Sequence, residues 1–339
     1  MSTPLKGILV GLGGRGQHWY NAVHSHPETE YVAYVEVMDE NRARAIERWE
    51  LPPDRVFKSL EEAAAKVDAD FVMDVTPPGA HESVAFAAFK AGLHLIGEKP
   101  ISDDYETAKR MVAAGRAAGR RHMITQNYRF GSQPRTTRRL LAEGVIGEPG
   151  QVDIGFTMPW ADSPGSHYVT QPFMFTKDMG IHHFDMLRYV LGRDPASVRC
   201  VTWNPSWGWH AGDASHVAIF TFDDQLHAVH RGVGCAVGQH TGWNGEWRIE
   251  DPGGTITGEG NEIWLTHLHR AEKRRREQVF PDRTGGGGQD PLLTEFVQAI
   301  RENREPECNA ADNLKSAAMV AGAVKSATER GREVKLADL

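Results

Sequence analysis

The sequence predicts an α/β domain with a doubly wound parallel sheet, followed by an α+β domain with a large, mainly antiparallel, open-faced sheet. Up to about residue 126, short apolar strands alternate with amphipathic helices, which is the pattern of a parallel sheet covered on both faces. A glycine-rich turn joins the first strand to the first helix. From residue 127 onward, apolar and polar residues alternate within short segments, as in antiparallel strands with one covered face.

The elements of the first domain follow from five apolar runs and the five amphipathic runs between them. Predicted strands span 7–11, 31–37, 71–75, 94–97 and 122–125, and predicted helices span 16–24, 41–50, 60–66, 81–91 and 103–118. The last of these helices has Ser102 or Asp103 as a candidate N-cap and Gly119 as the glycine that ends it. With right-handed crossovers, these elements make one doubly wound sheet.

The second domain is expected to be built on antiparallel strands. Candidates span 150–157, 198–203, 216–222, 226–233, 246–250 and 254–258. Asp290 as N-cap and Pro291 at the first helical position predict the start of one helix, and a final helix runs from about 309 to 330. We therefore expect a dinucleotide-binding domain at 1–126 and a second domain at 127–339, whose last helix is a candidate to pack back on the first domain.

Composition argues against several classes of partner. The 339 residues carry a net charge of -7, so neither nucleic acid nor a membrane surface is expected as a partner. The one basic run, 273–276, is flanked by acidic residues and is expected on a solvated helix face or loop.

The sequence contains no run of about 18 apolar residues, so no transmembrane helix is predicted. The N-terminus lacks a signal-peptide pattern, and three cysteines without pairing or C-x-x-C spacing fit a cytoplasmic protein.

Residues 11–16 read G-L-G-G-R-G, which satisfies the G-x-G-x-x-G pattern between a strand and a helix. In this Rossmann pattern the first glycine permits a tight turn, the second lets a pyrophosphate approach the backbone, and the third lets helix and strand pack. The helix N-terminus offers N–H groups to the phosphates. Candidate cofactor-binding residues are therefore Gly11, Gly13, Gly14, Arg15 and Gly16. A glycine-rich turn without a ligand is the alternative.

Glu36 bears on which cofactor binds. It closes the second predicted strand, 20 residues beyond Gly16, where an acidic side chain reaches the adenosine ribose hydroxyls. Its carboxylate would repel a 2′-phosphate, so NAD is favoured over NADP. NADP stays open as a cofactor, because Arg15, Arg42 or Arg44 can bind the extra phosphate if Glu36 points away. A solvent-facing strand end is the other interpretation of Glu36.

Lys99 follows the predicted strand 94–97 at its carboxyl end, where ligands of open α/β sheets bind. A lysine beside a nicotinamide ring can exchange a proton with an alcohol or a ketone. A surface ion pair with Glu98 is the alternative. The position of Lys99, within Glu98-Lys99-Pro100 at the end of this strand, therefore makes it a candidate catalytic residue.

Asp178 and His182 are spaced one helical turn apart, so they share a helix face. A histidine titrates near neutrality and can carry a proton, while a carboxylate can orient it or bind a substrate hydroxyl. Gly180 between them is expected to give a ligand room to approach. A buried structural histidine is the alternative. A metal site with His183 and Asp185 is conceivable, but no metal is expected, because the second domain offers no other obvious ligand cluster and hydride chemistry does not require one.

Further candidate substrate contacts lie at the domain junction and in a loop. Asn127 and Arg129 cross the junction, a favoured place for such contacts, although Arg129 serves equally well as a structural ion-pair partner. Trp160, His167 and Tyr168 lie in a stretch rich in proline, glycine and serine, where an aromatic face can stack on a sugar ring. Core packing is the alternative for each aromatic residue.

The order of these motifs resembles the Gfo/Idh/MocA family of sugar and cyclitol oxidoreductases. The resemblance rests on the glycine turn, on Thr76-Pro77-Pro78 with His81, on Glu98-Lys99-Pro100 and on the Asp178/His182 pair, and it covers nearly the whole chain. It implies that Thr76, Pro77 and His81 border the cofactor. It also implies that Glu98 contacts the nicotinamide ribose, that Lys99 contacts the reacting oxygen, and that Asp178 and His182 lie opposite that lysine.

The predicted function is NAD-dependent oxidation of a secondary hydroxyl of a sugar, a cyclitol or a derivative, or reduction of the matching ketone. Lys99, helped by His182, exchanges the hydroxyl proton, and Asp178 orients His182 or the substrate. One alternative keeps the cofactor bound for redox-neutral glycoside hydrolysis, epimerisation or elimination. Another is a non-catalytic NAD-binding regulator.

The open face of the second sheet predicts self-association. Its strands carry Trp203, Val217, Ile219 and Val229, apolar side chains that need cover. A homodimer or homotetramer formed through that sheet would supply it.

Overall fold

Six parallel strands form the first of two sheets, in the order β3-β2-β1-β4-β5-β6. The structure, a computed structural model, describes residues 3–159, 170–208, 210–222, 226–267, 275–282 and 288–339. The strands are β1 (Leu5–Val10), β2 (Thr29–Val35), β3 (Val56–Phe57), β4 (Phe71–Asp74), β5 (His94–Gly97) and β6 (His122–Ile124). The helices that alternate with them are α1 (Gly14–Ser25), α2 (Asp39–Trp49), α3 (Leu60–Ala64), α4 (His81–Lys90) and α5 (Tyr105–Ala118). The predicted doubly wound α/β domain is confirmed.

Local chemistry sets the ends of these helices. Asp104, rather than Ser102 or Asp103, caps α5, because its carboxylate accepts the Thr107 backbone N–H at 2.7 Å. Gly119 ends the same helix in the left-handed conformation, as predicted. The edge strand β3 was not predicted, because two residues are too few to form a recognisable apolar run.

A nine-stranded sheet organises the second half of the chain, in the order β14-β13-β12-β11-β7-β10-β9-β8-β15. Its strands are β7 (Gln151–Thr157), β8 (Ser197–Trp203), β9 (Ser215–Thr221), β10 (His227–Val233), β11 (Glu246–Asp251), β12 (Gly254–Glu259), β13 (Glu262–His267), β14 (Arg275–Val279) and β15 (Val334–Lys335). Strands β7 and β10 pair in parallel, and the other described pairs are antiparallel. This confirms the α+β domain with a mainly antiparallel sheet.

The core of this sheet lies on one face. The helices of this half are α6 (Ser132–Ala142), α7 (Met174–Asp178) and α8 (Gly180–Leu191), followed later in the chain by α9 (Asp290–Arg301) and α10 (Ala310–Thr328). Phe184 and Leu187 of α8 and Met319 of α10 pack with inward-facing strand residues such as Ile154 and Phe220. On the opposite face Val201, Trp203 and Ile219 are exposed.

The division into units differs from the sequence prediction in one segment. One unit comprises Met1–Asn127 with Gly287–Leu314, and the other comprises Tyr128–Gly286 with Lys315–Leu339. Residues 287–314, which the sequence prediction places in the second domain, cluster with the first unit. Helix α9 lies in that segment and begins at Asp290 with Gln289 as its N-cap, so Asp290 is its first residue and not its cap.

The basic run was expected on a helix face or loop, and the described part of it is a strand. Arg275 and Arg276 begin β14, which pairs with β13 at the edge of the sheet. Charged residues are common on edge strands, because they discourage pairing with another chain. Residues 273 and 274 lie outside the described residues.

Candidate active site

The glycine turn has the geometry that its sequence predicts. Gly11 has a φ of +97°, and a Cβ there would lie 2.8 Å from the Val75 carbonyl oxygen. A Cβ on Gly16 would lie 2.3 Å from the Gly11 carbonyl oxygen, so the third glycine is required for close packing. Around Gly13 and Gly14, by contrast, no described atom lies within 4 Å of the Cβ position. The open side of the turn is therefore at the two glycines where a pyrophosphate would approach.

Helix α1 starts directly at this turn. It begins at Gly14 with Gly13 as its N-cap, and no described side chain accepts a capping hydrogen bond there. Backbone N–H groups of its first turn are thus left for a ligand or water. The turn and the helix start fit the pyrophosphate of a dinucleotide.

Glu36 is buried directly after β2, and both of its carboxylate oxygens accept backbone hydrogen bonds. The Leu12 N–H donates to Oε2 and the Met38 N–H donates to Oε1, each at 3.0 Å. A carboxylate has about four acceptor positions, so about two remain for ribose hydroxyls. The two contacts hold the negative charge against the glycine turn, which supports the prediction of NAD.

The arginines considered for a 2′-phosphate have other contacts. Arg15 donates from Nε to Glu98 at 2.7 Å. Arg42 pairs with Asp39 and donates to the Glu36 carbonyl oxygen at 2.9 Å. Arg44 is exposed.

The loop after β4 is built around Asp74 and His81. Asp74 is buried, which raises the pKa of its carboxyl, and it accepts both the hydroxyl and the backbone N–H of Thr76. His81 is also buried. Its Nε2 lies 2.9 Å from the Thr76 carbonyl oxygen, and its Nδ1 lies 3.1 Å from that of Pro100. His81 therefore ties this loop to the segment after Lys99, while Pro77 is exposed.

Glu98 has an internal role in the structure. Its Oε1 accepts from Arg15 Nε and from Trp19 Nε1, both at 2.7 Å. Its Oε2 accepts from Thr125 Oγ1 at 3.2 Å and from the Lys99 backbone N–H at 3.3 Å. These four donors use the acceptor positions of the carboxylate. Glu98 thus joins α1, β5 and the segment after β6, and the ribose contact implied by the resemblance stays a prediction.

Lys99 comes two residues after the end of β5. It is half-buried, as expected of a lysine that is reachable by a substrate. The residues on either side are held, Glu98 by its four donors and Pro100 by His81. The backbone that carries the lysine is therefore restrained from both sides.

Asp178 and His182 lie in the second unit, on two consecutive helices. Asp178 ends α7 and is half-buried, whereas His182 is buried in the first turn of α8; Met179 alone separates the helices and keeps right-handed helical angles. The predicted spacing of about one turn is thus nearly kept. The Tyr128 ring stacks on the His182 ring, with centroids 4.3 Å apart and planes 14° apart. Tyr128 is a neighbour of His182 that the sequence did not reveal.

Gly180 is closely packed in the structure. A Cβ on Gly180 would lie 3.3 Å from the Phe184 ring and 3.7 Å from the His216 ring. A side chain there would be tight against Phe184, so Gly180 contributes to packing within the protein, and its role in making room for a ligand stays a prediction.

Arg129 is buried in an ion pair. Its Nε donates to Asp185 Oδ2 at 2.8 Å and its Nη2 donates to Oδ1, a bidentate arrangement. Ser316 Oγ also donates to Asp185, at 2.9 Å. The structural alternative for Arg129 is therefore favoured over a substrate contact.

The remaining candidates are less defined. Asn127 is half-buried at the end of the first unit. Trp160, His167 and Tyr168 lie outside the described residues. Among the residues that are described, no group of three or more His, Cys, Asp or Glu side chains is arranged to hold a metal ion. Nor does any described helix have the length and apolar character needed to cross a membrane.

Sequence reasoning missed several buried partners. Asp74, Trp19 and Thr125 support the loops of the first unit, and His216 and His230 lie beneath α7 and α8. No local motif signals Trp19, Thr125 or His216, because each contacts a residue far away in the chain, and the partner of Asp74, Thr76, is near in the chain but forms no recognisable motif with it. His230 is the exception, because Gly232 within the same strand and Gly234 just after it are small residues that indicate close packing.

Comparison with known proteins places the chain in one family. The Gfo/Idh/MocA family model described as "Oxidoreductase family, NAD-binding Rossmann fold" matches residues 5–126. The model of the GFO/IDH/MocA C-terminal domain matches residues 134–259. D-apiose dehydrogenase of Paraburkholderia graminis is 26% identical over 354 residues, covering 98% of this chain and 90% of that protein. Inositol 2-dehydrogenase of Rhizobium meliloti is 30% identical over 190 residues, 56% of each chain.

The fold agrees with that assignment. The crystal structure of an Agrobacterium radiobacter oxidoreductase, in complex with NAD+, L-tartaric acid and magnesium, matches 99% of both chains with a TM-score of 0.87 and 21% identity. The two family matches together span most of the chain, one on each half. The chain belongs to the Gfo/Idh/MocA family of NAD-binding oxidoreductases.

Proposed function

We propose that this oxidoreductase oxidises a secondary hydroxyl of a sugar, cyclitol or related polyol with NAD, or reduces the corresponding ketone. The observation that carries the proposal is Lys99, a half-buried amine on a restrained segment just beyond the carboxyl end of β5. Relatives named for apiose and inositol oxidation support the substrate class.

The first unit supplies the residues that would hold the cofactor. The open glycines Gly13 and Gly14 and the start of α1 suit the pyrophosphate, and Glu36 suits the adenosine ribose. Thr76 and Pro77 belong to the loop that follows β4 and are proposed to border the cofactor. When bound, NAD accepts or donates a hydride at its nicotinamide ring.

The chain's own residues handle the proton. Lys99 takes the proton of the substrate hydroxyl during oxidation and returns it during reduction, with His182 as its helper. The flat contact of Tyr128 on His182 limits rotation of the imidazole, so its nitrogens keep a constant direction. Asp178 orients His182 or binds a second hydroxyl of the substrate. Positioned acid–base groups of this kind contribute about 10²–10⁴-fold to rate.

The test is a screen of sugars and cyclitols for NADH formation, followed by Lys99→Ala, His182→Ala and the double variant. Each single change should lower kcat by about a hundredfold or more while NAD binding stays nearly unchanged. The double variant should lose less than the product of the two single losses, because groups that act as a unit are non-additive. Lys325→Ala, an exposed lysine on α10, is the matched control and should leave kcat unchanged.

Three outcomes would redirect the proposal. Single variants within about threefold of the parent would remove Lys99 and His182 from the mechanism, since that is far below the effect of a positioned proton carrier. Conversion of a substrate without any change in NADH absorbance would favour redox-neutral hydrolysis, epimerisation or elimination. NAD binding without turnover of any polyol would favour a regulator.

We further propose that the protein works as a homo-oligomer in the cytoplasm. The exposed apolar residues of the open sheet face support self-association. Cys200, Cys235 and Cys308 are all buried and none of the three forms a disulfide, which fits a reducing compartment. Cell fractionation that recovers the protein outside the cytoplasm would contradict the proposed location.

A further inference from the structure

Three histidines of the second unit form a buried hydrogen-bonded chain. His183 on α8, His230 on β10 and His216 on β9 are 0%, 1% and 0% exposed. His183 Nδ1 lies 2.7 Å from His230 Nε2, and His230 Nδ1 lies 2.8 Å from His216 Nε2. At one end His183 Nε2 lies 2.9 Å from the Trp243 carbonyl oxygen; at the other, His216 Nδ1 lies 2.8 Å from Thr176 Oγ1. We call the side chains of the three histidines and Thr176 the histidine chain.

The carbonyl at one end sets the direction of every hydrogen bond. A carbonyl oxygen only accepts, so His183 carries its proton on Nε2 and its Nδ1 accepts from His230. By the same reasoning His230 and His216 both carry their protons on Nε2, and the Thr176 hydroxyl donates to His216 Nδ1. Reversal would leave a bare His183 nitrogen facing the carbonyl oxygen. The histidine chain therefore holds one arrangement and cannot serve as a reversible proton wire.

Burial keeps all three imidazoles neutral. Desolvation lowers the pKa of His183 to about 4 and that of His216 to about 3, and it holds the pKa of His230 well below the ordinary value. A proton added to Nδ1 of His183 or of His230 would place two N–H donors against each other. At neutral pH each polar atom of the histidine chain has one complementary partner.

The sheet makes room for this arrangement. A Cβ on Gly232 would lie 2.5 Å from the Phe175 ring and 2.9 Å from His216 Nε2. A Cβ on Gly234 would lie 2.5 Å from the same Phe175 ring. The two glycines follow His230 on and just after β10, so this strand both contributes a histidine and leaves space for its neighbours.

The ends of the histidine chain lie beside the candidate catalytic residues. Thr176 is on α7, two residues before Asp178, and His183 is next to His182 on α8. His216 and His230 are on β9 and β10, which pair over seven residues. Helices α7 and α8 are thus hydrogen-bonded to the sheet at points within two residues of Asp178 and His182.

We propose that the histidine chain positions α7 and α8, so that Asp178 and His182 are held in their catalytic orientation. Thr176, His183, His216 and His230 are positioning residues and touch no substrate. The proposal rests on the proposed function, because that function gives Asp178 and His182 their roles.

The first test compares two substitutions of Thr176. Thr176→Val keeps the shape but removes the only hydroxyl donor of the histidine chain, whereas Thr176→Ser keeps the hydroxyl. Thr176→Val should lower kcat by about tenfold or more, since displacement of order 1 Å can cost about a hundredfold. The Kd of Thr176→Val for NAD should stay within about twofold of the parent value, because the proposed cofactor residues are in the other unit. The kcat of Thr176→Ser should stay within about threefold of the parent value, because the hydroxyl is kept.

The second test is independent of activity. Histidine side-chain nitrogen NMR of the parent protein should show His183, His216 and His230 as neutral Nε2–H tautomers at pH 7, and Thr176→Val should shift the His216 Nδ1 signal toward that of an unbonded nitrogen. An Nδ1–H tautomer or an imidazolium at any of the three would overturn the stated arrangement.

The outcomes separate this proposal from the proposed function. An active parent whose Thr176→Val variant melts at lower temperature with unchanged kcat would overturn positioning and leave the proposed function intact. A parent that oxidises no polyol would overturn the proposed function, and with it the positioning role. If Thr176→Val does not fold, Thr176→Ala removes the same hydroxyl with less bulk and takes its place in the comparison.

Discussion

At the scale of single residues, Glu36 has a structural role and is the residue that we propose to set the choice of cofactor. Its carboxylate receives the N–H groups of Leu12 and Met38, so it braces the glycine turn and the start of α2. The same contacts hold its charge in place. A buried, immobile carboxylate discriminates against a phosphate more strongly than a mobile surface one, because neither solvent nor rotation can relieve the repulsion.

Replacing Glu36 with glutamine should weaken the preference for NAD. Glu36→Gln keeps the size of the side chain and removes the charge, so the ratio of the Kd for NADP to the Kd for NAD should fall by about tenfold or more, a change of about 1.4 kcal/mol. Titration calorimetry with both cofactors measures this ratio. Glu40→Gln, an exposed acid in the first turn of α2, removes the same charge and should leave the ratio unchanged. Equal or tighter binding of NADP by the intact protein would contradict the preference itself.

At the scale of elements, the turn at Asn127–Phe130 is bonded to α8 by the Arg129–Asp185 pair. Both side chains are almost fully buried. Removing one partner of a buried pair leaves an uncompensated charge, which costs about 3–5 kcal/mol.

Arg129→Lys should therefore lower stability without weakening substrate binding. Lysine cannot reproduce the bidentate contact, so the urea midpoint should fall while KM for the best polyol stays within about threefold. Arg116→Lys, at an exposed arginine on α5, is the control and should leave both quantities unchanged. A rise in KM at an unchanged midpoint would instead show that Arg129 contacts the substrate.

Buried histidines in both units make stability depend on pH. Burial lowers the pKa of His94 and His183 to about 4 and that of His122 and His216 to about 3. In the unfolded chain each titrates near 6.5. Between these values the unfolded chain binds protons that the folded protein excludes. Their stabilising contribution is thus present above about pH 6.5 and is lost as the pH falls toward 4.

The free energy of unfolding should fall by up to about 1.4 kcal/mol for each unit by which the pH is lowered between about 6 and 4.5, for each of the fully buried His122, His183 and His216. The partly exposed His94 should contribute less, because water screens its charge. The raised pKa of Asp74 acts in the opposite direction, but it is a single group. Urea unfolding at pH 7.5, 6 and 5 measures the slope. His122→Leu should reduce the slope by about one histidine's share. Equal midpoints at pH 7.5 and pH 5 would show that these histidines are not excluded from protonation by the fold.

At the scale of the whole molecule, one face of the nine-stranded sheet exposes a row of apolar side chains. Val201 pairs with Val217 across β8 and β9, and Ile219 pairs with Val229 across β9 and β10. Val201 is 49% exposed and Trp203 41% exposed. Exposed apolar patches are common at association surfaces, which supports our proposal that the protein self-associates through this face.

Light scattering should give a multiple of the 37.6 kDa monomer mass at micromolar concentration. Ile219→Glu places a charge in the centre of the patch and should shift the particle toward the monomer, because an unpaired charge buried at an interface is costly. Phe86→Glu, at an exposed apolar residue of α4 in the other unit, is the control. A parent protein that is monomeric under these conditions would rule out the interface.

The sequence by itself determined the fold class and the glycine turn, and it identified Lys99, Asp178 and His182 as candidate catalytic residues. These features are local: a strand, a turn and a helix are encoded by periodicity and by glycines whose steric roles depend on near neighbours. The same is true of Gly119, whose left-handed conformation ends α5. Short elements such as β3 were missed, since they have too few residues to show a period.

Only the tertiary structure decided which polar groups meet. Glu98 and Trp19 are 79 residues apart in the chain, Arg129 and Asp185 are 56 apart, and His183 and His230 are 47 apart. A buried polar side chain must find a partner, but its own sequence neighbourhood does not specify which one, because the partner is brought near only when sheets and helices pack. For that reason the structure alone shows that Glu98 joins separate elements and that Gly180 packs against Phe184. It also shows that three histidines far apart in the sequence form one hydrogen-bonded chain.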